Sequence, residues 1–228
     1  MSGVTLEAID ADGALTEAIA SLAGSTRAGF LRTAALGGAA MLSALASPPS
    51  AGAAITDVQI LNFGLRFERL QASFYTQADE LGTIAKMSRA KQTWAHTLGA
   101  HERAHVRIIK QVLGRKAEPR PFFDFGAANE TDAAFTRTAV AMEDLTVALL
   151  GGVVPRVRDR SLVAALFGLL TVEARHAAWA RHIVGTAPVP RAFDEPRTLH
   201  DVRGVVARTR FVSQRPKTSS RRGPRFTG

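Results

Sequence analysis

The chain contains no cysteine. It therefore cannot form disulfides, and it cannot build a zinc ribbon, an iron–sulfur cluster or a rubredoxin-type iron site, because all of these need thiolates. Proteins without cysteine occur in every cellular compartment, so this absence does not locate the protein. It does remove the sulfur-ligated classes of metal protein from consideration.

Acidic residues are absent from the C-terminal part of the chain. In this chain of 228 residues, no residue after Asp201 is Asp or Glu, whereas this part is rich in arginine. The basic residues after Asp201 are Arg203, Arg208, Arg210, Arg215, Lys217, Arg221, Arg222 and Arg225. The net charge of +9 therefore belongs to this end of the chain. Residues 213–228 have almost no apolar side chains, which predicts a disordered basic tail that could contact DNA or another polyanion, or could simply solubilise the protein.

The N-terminal part lacks an apolar run of transmembrane length. Its apolar stretch, Thr33–Ala46, is shorter than the roughly 20 residues that a spanning helix needs. It follows Ser25-Thr-Arg27-Ala28-Gly-Phe-Leu31 and ends at a small-residue segment up to Ala53. This order is similar to a twin-arginine export signal, with Ala28 in place of the second arginine. We predict that residues 1–53 are an N-terminal extension with an export signal and no stable transmembrane span; a cytoplasmic protein with an ordinary alanine-rich helix here is the alternative.

One short motif, Glu-x-x-His, occurs twice. A further glutamate lies about one antiparallel helix upstream of each copy. In chain order the six residues are Glu68, Glu102, His105, Glu143, Glu173 and His176. Residues three apart on a helix share a face, so each motif presents a carboxylate and an imidazole together. This order of residues is the ligand pattern of carboxylate-bridged two-metal sites in four-helix bundles.

The apolar periodicity predicts four helices, at about residues 56–82, 88–113, 131–151 and 159–185. A Pro- and Phe-rich connector, Lys116–Glu130, separates the second helix from the third. At roughly 3.3 Å per residue it can cross a bundle of ordinary length. We therefore predict an all-α fold, an antiparallel four-helix bundle with one long crossover over residues 54–212, which ends in a short C-terminal strap around Leu199 and Phe211.

The six motif residues fall in the apolar stripes of these helices, where leucine is expected. Burying four carboxylates without partners is prohibitive, and no set of lysines or arginines shares the stripes. Two divalent cations would balance four carboxylates and two neutral imidazoles. Oxygen-rich ligation with one imidazole per metal favours iron, with manganese as the alternative. We expect Glu102 and Glu173 to bridge the metals. A single motif would instead indicate a solvated helix face.

The sequence resembles the ferritin-like superfamily, and within it the bacterial ferritin-like domain proteins related to plant desiccation-related proteins. The segments that carry the resemblance are Asp57–Phe63, Arg66–Glu68, Phe74-Tyr75, His101–His105 and Val172–Trp179. The resemblance covers roughly residues 54–212. It implies a two-metal bundle whose terminal ligands are Glu68 with His105 and Glu143 with His176.

Other residues carry weaker expectations. Tyr75 lies two turns from Glu68 on the same face, so it is either a core tyrosine or a residue that hydrogen-bonds a ligand or carries an electron. Three histidines lie off the ligand stripe and are expected at the surface or behind the ligands: His96, His101 and His182. Trp179 is expected to pack in the core, and Asp144 to face solvent.

Three functions fit the sequence. The first is a di-iron protein that reacts with dioxygen or peroxide, with iron itself or peroxide as substrate; without cysteine-bound iron, a rubrerythrin-type peroxidase is disfavoured. The second is a non-catalytic stress protein of the cell envelope that metal stabilises. The third is a DNA- or polyanion-binding protein that uses the basic tail and stays in the cytoplasm. The sequence leaves open whether the chain forms a homo-oligomer.

Overall fold

The computed structural model describes residues 55–213, and most of these are helical. Its long helices are α1 (Asp57–Glu80), α2 (Arg89–Leu113), α3 (Asp132–Val153) and α4 (Arg160–Ile183), followed by a shorter α5 (Leu199–Thr209). Short 3₁₀ turns lie at Ile84–Lys86, Gly114–Lys116, Gly126–Asn129 and Val154–Arg156. Helix α1 packs against α2 and α3 against α4, and the two hairpins join through α2 with α4 and α1 with α3. The predicted all-α four-helix bundle with one crossover is confirmed.

Each long helix begins at a side chain that caps its free backbone amides. Thr56 forms a capping box with Gln59 at the start of α1, and Ser88, Thr131 and Asp159 cap α2, α3 and α4. The caps lie at the starts that the sequence predicts. They fix where each of the four helices begins.

Helix α3 runs further than predicted. We expected Gly151-Gly152 to end it, but the helix continues through both glycines to Val153. A Cβ atom at residue 152 would lie only 2.0 Å from the carbonyl oxygen of Arg197. The amide of Arg197 also donates a hydrogen bond to the carbonyl of Ala148 at 2.8 Å. Gly152 therefore lets the C-terminal segment approach the helix backbone, and it does not break the helix.

The crossover and the C-terminal strap hold each other in place. Strand β1 (Phe122–Phe123), in the crossover, pairs antiparallel with β2 (Val212–Ser213), which follows α5. Beside this pair the rings of Phe125 and Phe211 pack edge to face with centroids 5.2 Å apart. In α5, Val202 is fully buried. The predicted strap is thus a helix and a two-residue strand.

The interior of the bundle has two halves of different character. One half is rich in aromatic side chains, and the largest of these are Phe74, Tyr75, Trp94 and Phe135. The other half is mostly aliphatic and includes Leu65, Ile109, Leu149 and Leu166. The six motif residues lie between the two halves. The sequence predicts one buried stripe on α2, made of Leu98, Glu102, His105, Ile109 and Val112. The last member is wrong, because Val112 is 53% exposed and its neighbour Leu113 is buried instead.

Two stretches of the described chain, Asp132–Arg156 and α4, are long and apolar enough to cross a membrane. This is weak evidence, because the core helices of soluble bundles share these properties. The absence of a stable transmembrane span stays a prediction. The predicted export signal in residues 1–53 lies outside the described residues. Of the predicted basic tail, residues 213–228, only Ser213 is described, and it lies in β2 instead of the tail.

Candidate metal centre

The six residues of the two Glu-x-x-His motifs and their preceding glutamates meet at the middle of the bundle. They form two groups of four in which ligand atoms lie within 4.8 Å of one another. The first donor set is Glu68, Glu102, His105 and Glu173. The second donor set is Glu102, Glu143, Glu173 and His176. Glu102 and Glu173 belong to both sets, as expected for residues that bridge two metals.

Almost all of these side chains are shielded from solvent. Glu102, Glu143 and Glu173 are completely buried, and Glu68 and His176 nearly so. His105 is the most accessible, with 12% of its side chain exposed. The centre is therefore a buried, carboxylate-rich cluster. Of its six residues, His105 of the first donor set lies nearest the surface.

Each imidazole presents Nδ1 to three carboxylates at once. Nδ1 of His105 lies 3.0 Å from Glu173, 3.2 Å from Glu68 and 3.7 Å from Glu102. Nδ1 of His176 lies 3.2 Å from Glu102, 3.4 Å from Glu173 and 3.6 Å from Glu143. The donor atoms are therefore gathered as the ligands of one shared metal ion would be, and not in separate hydrogen-bonded pairs.

Many atoms of the centre nevertheless have no hydrogen-bond partner among the described residues. These atoms are both oxygens of Glu102 and of Glu173, Oε2 of Glu143 and Nδ1 of His176. A buried polar atom without a partner costs about 1–3 kcal/mol, so a cluster of them needs an external partner. Divalent cations satisfy carboxylate oxygens and neutral imidazole nitrogens together, so the donor set fits a pair of such ions.

The pKa shifts of the glutamates show that negative charge is concentrated in the centre. Burial raises the pKa of Glu68 well above its usual value, and the charges of Glu102 and Glu173 raise it further. Burial, with the charges of Glu102 and Glu173, also raises the pKa of Glu143 to about 8, against the lowering effect of His176. Part of the centre therefore holds protons at neutral pH when no metal is bound.

The two imidazoles respond in the opposite sense. Burial lowers the pKa of His105, but its contacts with Glu102, Glu173 and Glu68 outweigh burial and raise it to about 12. Burial also lowers the pKa of His176, and its carboxylate neighbours raise it to about 11. Burial raises the pKa of Glu102, but the contacts with His105 and His176 bring it down to about 2. Without bound cations, protonated imidazoles would thus offset the negative charge of the carboxylates.

Tyr75 joins the aromatic half of the core to the centre. Its hydroxyl donates a 2.6 Å hydrogen bond to Oε1 of Glu143, and its ring packs edge to face against Phe74, Trp94 and Phe135. Burial, and then the charge of Glu143, raise the pKa of Tyr75 well above 10. Both sequence interpretations therefore hold in part, since Tyr75 is a core residue whose hydroxyl is satisfied by a candidate ligand.

His101 contacts the back of one candidate ligand. Its Nδ1 lies 2.9 Å from Nε2 of His176, and the two rings stack with centroids 5.1 Å apart. If Nδ1 of His176 faces the centre as a bare ligand atom, the ring proton is on Nε2 and is donated to His101. We expected His101 at the surface or behind the ligands, and it is both. Its contact with His176 was not predicted, although its position next to Glu102 was a usable signal.

The remaining predicted residues lie away from the donor sets. Asp144 is not simply solvated, because Arg181 of α4 holds it with two hydrogen bonds of 2.9 and 2.6 Å that join α3 to α4. His96 is exposed and contacts Asp79, and His182 is exposed. Trp179 is partly buried against the aromatic half of the core, as expected.

The fold and the two overlapping donor sets define a class of protein, a four-helix bundle with a candidate two-metal centre at its middle. The family model described as "Ferritin-like domain" matches residues 56–186, and the chain belongs to this family. No curated protein matches the chain.

Proposed function

We propose that the chain binds two divalent metal ions, iron in preference to manganese, and uses them in oxidative chemistry with dioxygen or peroxide. The observation that carries the proposal is the sharing of Glu102 and Glu173 between the two donor sets. In this assignment Glu102 and Glu173 bridge, Glu68 and His105 complete the first site, and Glu143 and His176 complete the second. Two ferrous ions, if held by these residues, would supply the electrons that dioxygen or peroxide accepts.

The chain's own residues prepare the centre for this role. Four carboxylates and two neutral imidazoles balance the charge of two divalent ions, so the loaded centre is neutral inside the bundle. The packed aromatic and aliphatic halves exclude bulk water from both sides. Tyr75 fixes the carboxylate of Glu143, and His101 fixes the ring of His176. Ligands held by such outer contacts keep their orientation when a metal arrives.

Anaerobic titration with ferrous iron tests this proposal. The expected stoichiometry is two ions per chain by calorimetry, and Glu102→Ala should abolish binding because it removes a ligand of both sites. Glu80→Ala, which removes an exposed carboxylate at the end of α1, is the matched control and should bind as the wild type does. When air is admitted, the iron-loaded protein should then consume dioxygen. Absence of stoichiometric binding in the wild type would overturn the proposal.

A second candidate function is structural: the metal holds the bundle together in a non-catalytic stress protein. The buried polar atoms without partners support it, because a cation would stabilise the fold whether or not it reacts. Both candidates predict metal binding and thermal stabilisation. They differ in turnover: dioxygen consumption on addition of excess ferrous iron supports the oxidative function, and a loaded protein that consumes none supports the structural one.

We also propose that the protein is exported and that its basic C-terminal tail contacts polyanions of the cell envelope. Export is proposed from Arg27 and the apolar stretch that follows it. The polyanion contact is proposed from the arginines after Asp201. Sequencing of the mature N-terminus from cell fractions tests the first. Two results together would favour the DNA-binding alternative. The protein would be recovered in the cytoplasm with an intact N-terminus, and its retardation of DNA in a gel would vanish when residues 213–228 are deleted.

A further inference from the structure

The outer side of α4, which faces away from the bundle, is apolar. An 18-residue window of this helix is apolar enough to cross a membrane, yet only 22% of the window is buried, against 50% for the window in Asp132–Arg156. Phe167 is 59% exposed. The smaller exposed residues of α4 include Ala164, Ala165, Gly168 and Ala174. A helix at the surface of a soluble bundle normally turns polar side chains outward, so the outer side of α4 is unusual.

The apolar surface continues onto the neighbouring edge of α2. Nδ1 of His105 in α2 lies 3.0 Å from Glu173 in α4, so the edge of α2 that carries His105 lies against α4. Ile108 and Val112 follow His105 by about one and two helical turns and lie on the same edge. Ile108 is 58% exposed and Val112 53%. These two residues and the outer side of α4 form one surface, which we call the α2–α4 face.

The exposed charged residues of α2 and α4 are all basic. Each helix contains one acidic residue, Glu102 in α2 and Glu173 in α4, and both are completely buried in the centre. Asp144 of α3 contacts α4, but Arg181 neutralises it. The exposed basic residues of the two helices are Arg89, Arg103, Arg107, Lys110, Arg160 and Arg175. The charge of this surface therefore complements an anionic partner.

This combination of apolar and basic residues distinguishes between the partners that could cover the face. A second copy bound through the same face would bring two sets of basic residues together, with no exposed carboxylate on either pair of helices to offset them. A nucleic acid would leave Phe167 and Ile108 against a charged, hydrated backbone. A membrane surface with anionic lipids offers negative headgroups above an apolar layer, so it complements both kinds of residue.

We propose that the α2–α4 face binds the surface of a membrane that contains anionic lipids. Phe167 and Ile108 enter the boundary with the acyl chains, and the basic residues stay at the level of the headgroups. Helix α4 lies on the membrane and does not cross it, because crossing would take the carboxylate of Glu173 out of the centre and into hydrocarbon. The inference is independent of the metal chemistry, since none of the six candidate ligands belongs to the face.

Co-sedimentation of the full-length protein with lipid vesicles tests the inference. The wild type should sediment with vesicles of phosphatidylcholine and phosphatidylglycerol, and much less with phosphatidylcholine alone. Phe167→Gln should weaken binding to the anionic vesicles about tenfold, and Arg175→Gln about fivefold. Phe122→Gln is the matched control and should bind as the wild type does. Phe122 is also half exposed, but it lies in the crossover, which packs against α1.

A label at a single position shows whether the α2–α4 face itself meets the lipid. The chain has no cysteine, so one introduced thiol carries a fluorophore at one known place. The emission of a polarity-sensitive fluorophore on Ala164→Cys should shift to the blue when anionic vesicles are added. The same fluorophore on Ala127→Cys, exposed in the crossover, should show no shift.

Four results would overturn the inference. The first is a wild type that does not bind anionic vesicles. The second is equal binding by Phe167→Gln and Phe122→Gln, or no shift at Ala164→Cys, which would assign the binding to another part of the chain. The third is a wild-type dimer in light scattering that Phe167→Gln makes monomeric, which would assign the face to a second copy. The fourth is retardation of DNA that Arg175→Gln abolishes, without binding to vesicles.

Discussion

The imidazoles of His101 and His176 stack at a 21° interplanar angle, with Nδ1 of His101 2.9 Å from Nε2 of His176. One ring is exposed and the other is buried in the second donor set. Within the described chain, His105 has no such partner behind it, because its polar contacts run through Nδ1 to the carboxylates. The two donor sets are therefore unequally supported from outside.

His101→Ala should weaken one metal site and spare the other. Loss of an outer partner typically costs 10–100-fold in metal affinity, so calorimetry should resolve one tight and one weakened ferrous ion. His101→Gln should restore part of the affinity, because a side-chain amide oxygen can accept the proton of Nε2. His96→Ala, on the same helix but away from the centre, is the control. Equal weakening of both sites would contradict the assignment.

The two donor sets predict a hierarchy among the glutamates. Glu68→Ala removes a candidate ligand of the first set only, so the number of metal ions bound per chain should fall from two to one. Glu173→Ala removes a ligand of both sets and should retain neither ion. Metal analysis after gel filtration, with circular dichroism to verify folding, measures the difference. A Glu68→Ala protein that loses both ions would show that the sites are filled only together.

Metal binding should release protons. At pH 7 the raised pKa values of His105, His176 and Glu143, about 12, 11 and 8, keep these groups protonated in the metal-free protein. Each must lose its proton to become a ligand, and Glu68, whose pKa is also raised, adds to this number, so at least three protons should leave on binding and affinity should rise with pH. Calorimetry in buffers of different ionisation enthalpy counts them. A pH-independent affinity would argue against these residues as ligands.

The metal-free protein should lose stability as pH rises. Between pH 4.5 and about 8 the folded state keeps the proton of Glu143 that the unfolded state releases, and above pH 6.5 the same holds for His176 and His105. The free energy of unfolding therefore falls over this range. Glu102 acts in the opposite direction below pH 4.5, because its lowered pKa favours the folded state as pH rises from about 2. Melting temperatures with chelator should decline from about pH 5 to 9, and added metal should abolish the decline.

Tyr75 is the sole tyrosine of the chain, so phenolate absorbance near 295 nm reports on it alone. Its pKa lies well above 10 in the folded protein because of burial and the charge of Glu143. The folded metal-free protein should therefore show no ionisation at pH 10, and the protein unfolded in denaturant should be half ionised there. Glu143→Gln should lower the folded-state pKa. A folded protein that titrates normally would mean that the hydroxyl is not held at the centre.

Most of the fold and all six residues of the centre were predictable, because they follow from helical periodicity. A buried stripe admits few charged residues, so Glu143 or Glu173 among leucines is conspicuous without any structure. The stripe of α2 fails only at its end, where Val112 is exposed and Leu113 buried. A strict seven-residue pattern drifts by about 20° per heptad against a straight helix, which explains the slip.

The features that were missed depend on contacts between segments distant in sequence. Gly152 suggests a helix end when only its neighbours are considered, and only the approach of Arg197 explains it. The pairing of Phe122 with Ser213 involves two-residue strands that carry no periodic signal. The contact of His101 with His176 depends on the rotation of α2 relative to α4. Such contacts are set by tertiary packing, which local patterns do not encode.

Both donor sets draw on α4, the last long helix to be made. The first set takes Glu173 from it, and the second takes Glu173 and His176. While the chain is being synthesised, the hairpin of α1 and α2 alone presents Glu68, Glu102 and His105 with no complete site. Under the proposed function, tight metal binding would therefore wait until α4 has been synthesised and has packed against the first hairpin. Metal occupancy would then indicate that the two hairpins have joined. The order of the candidate ligands along the chain would disfavour metal binding by a nascent chain.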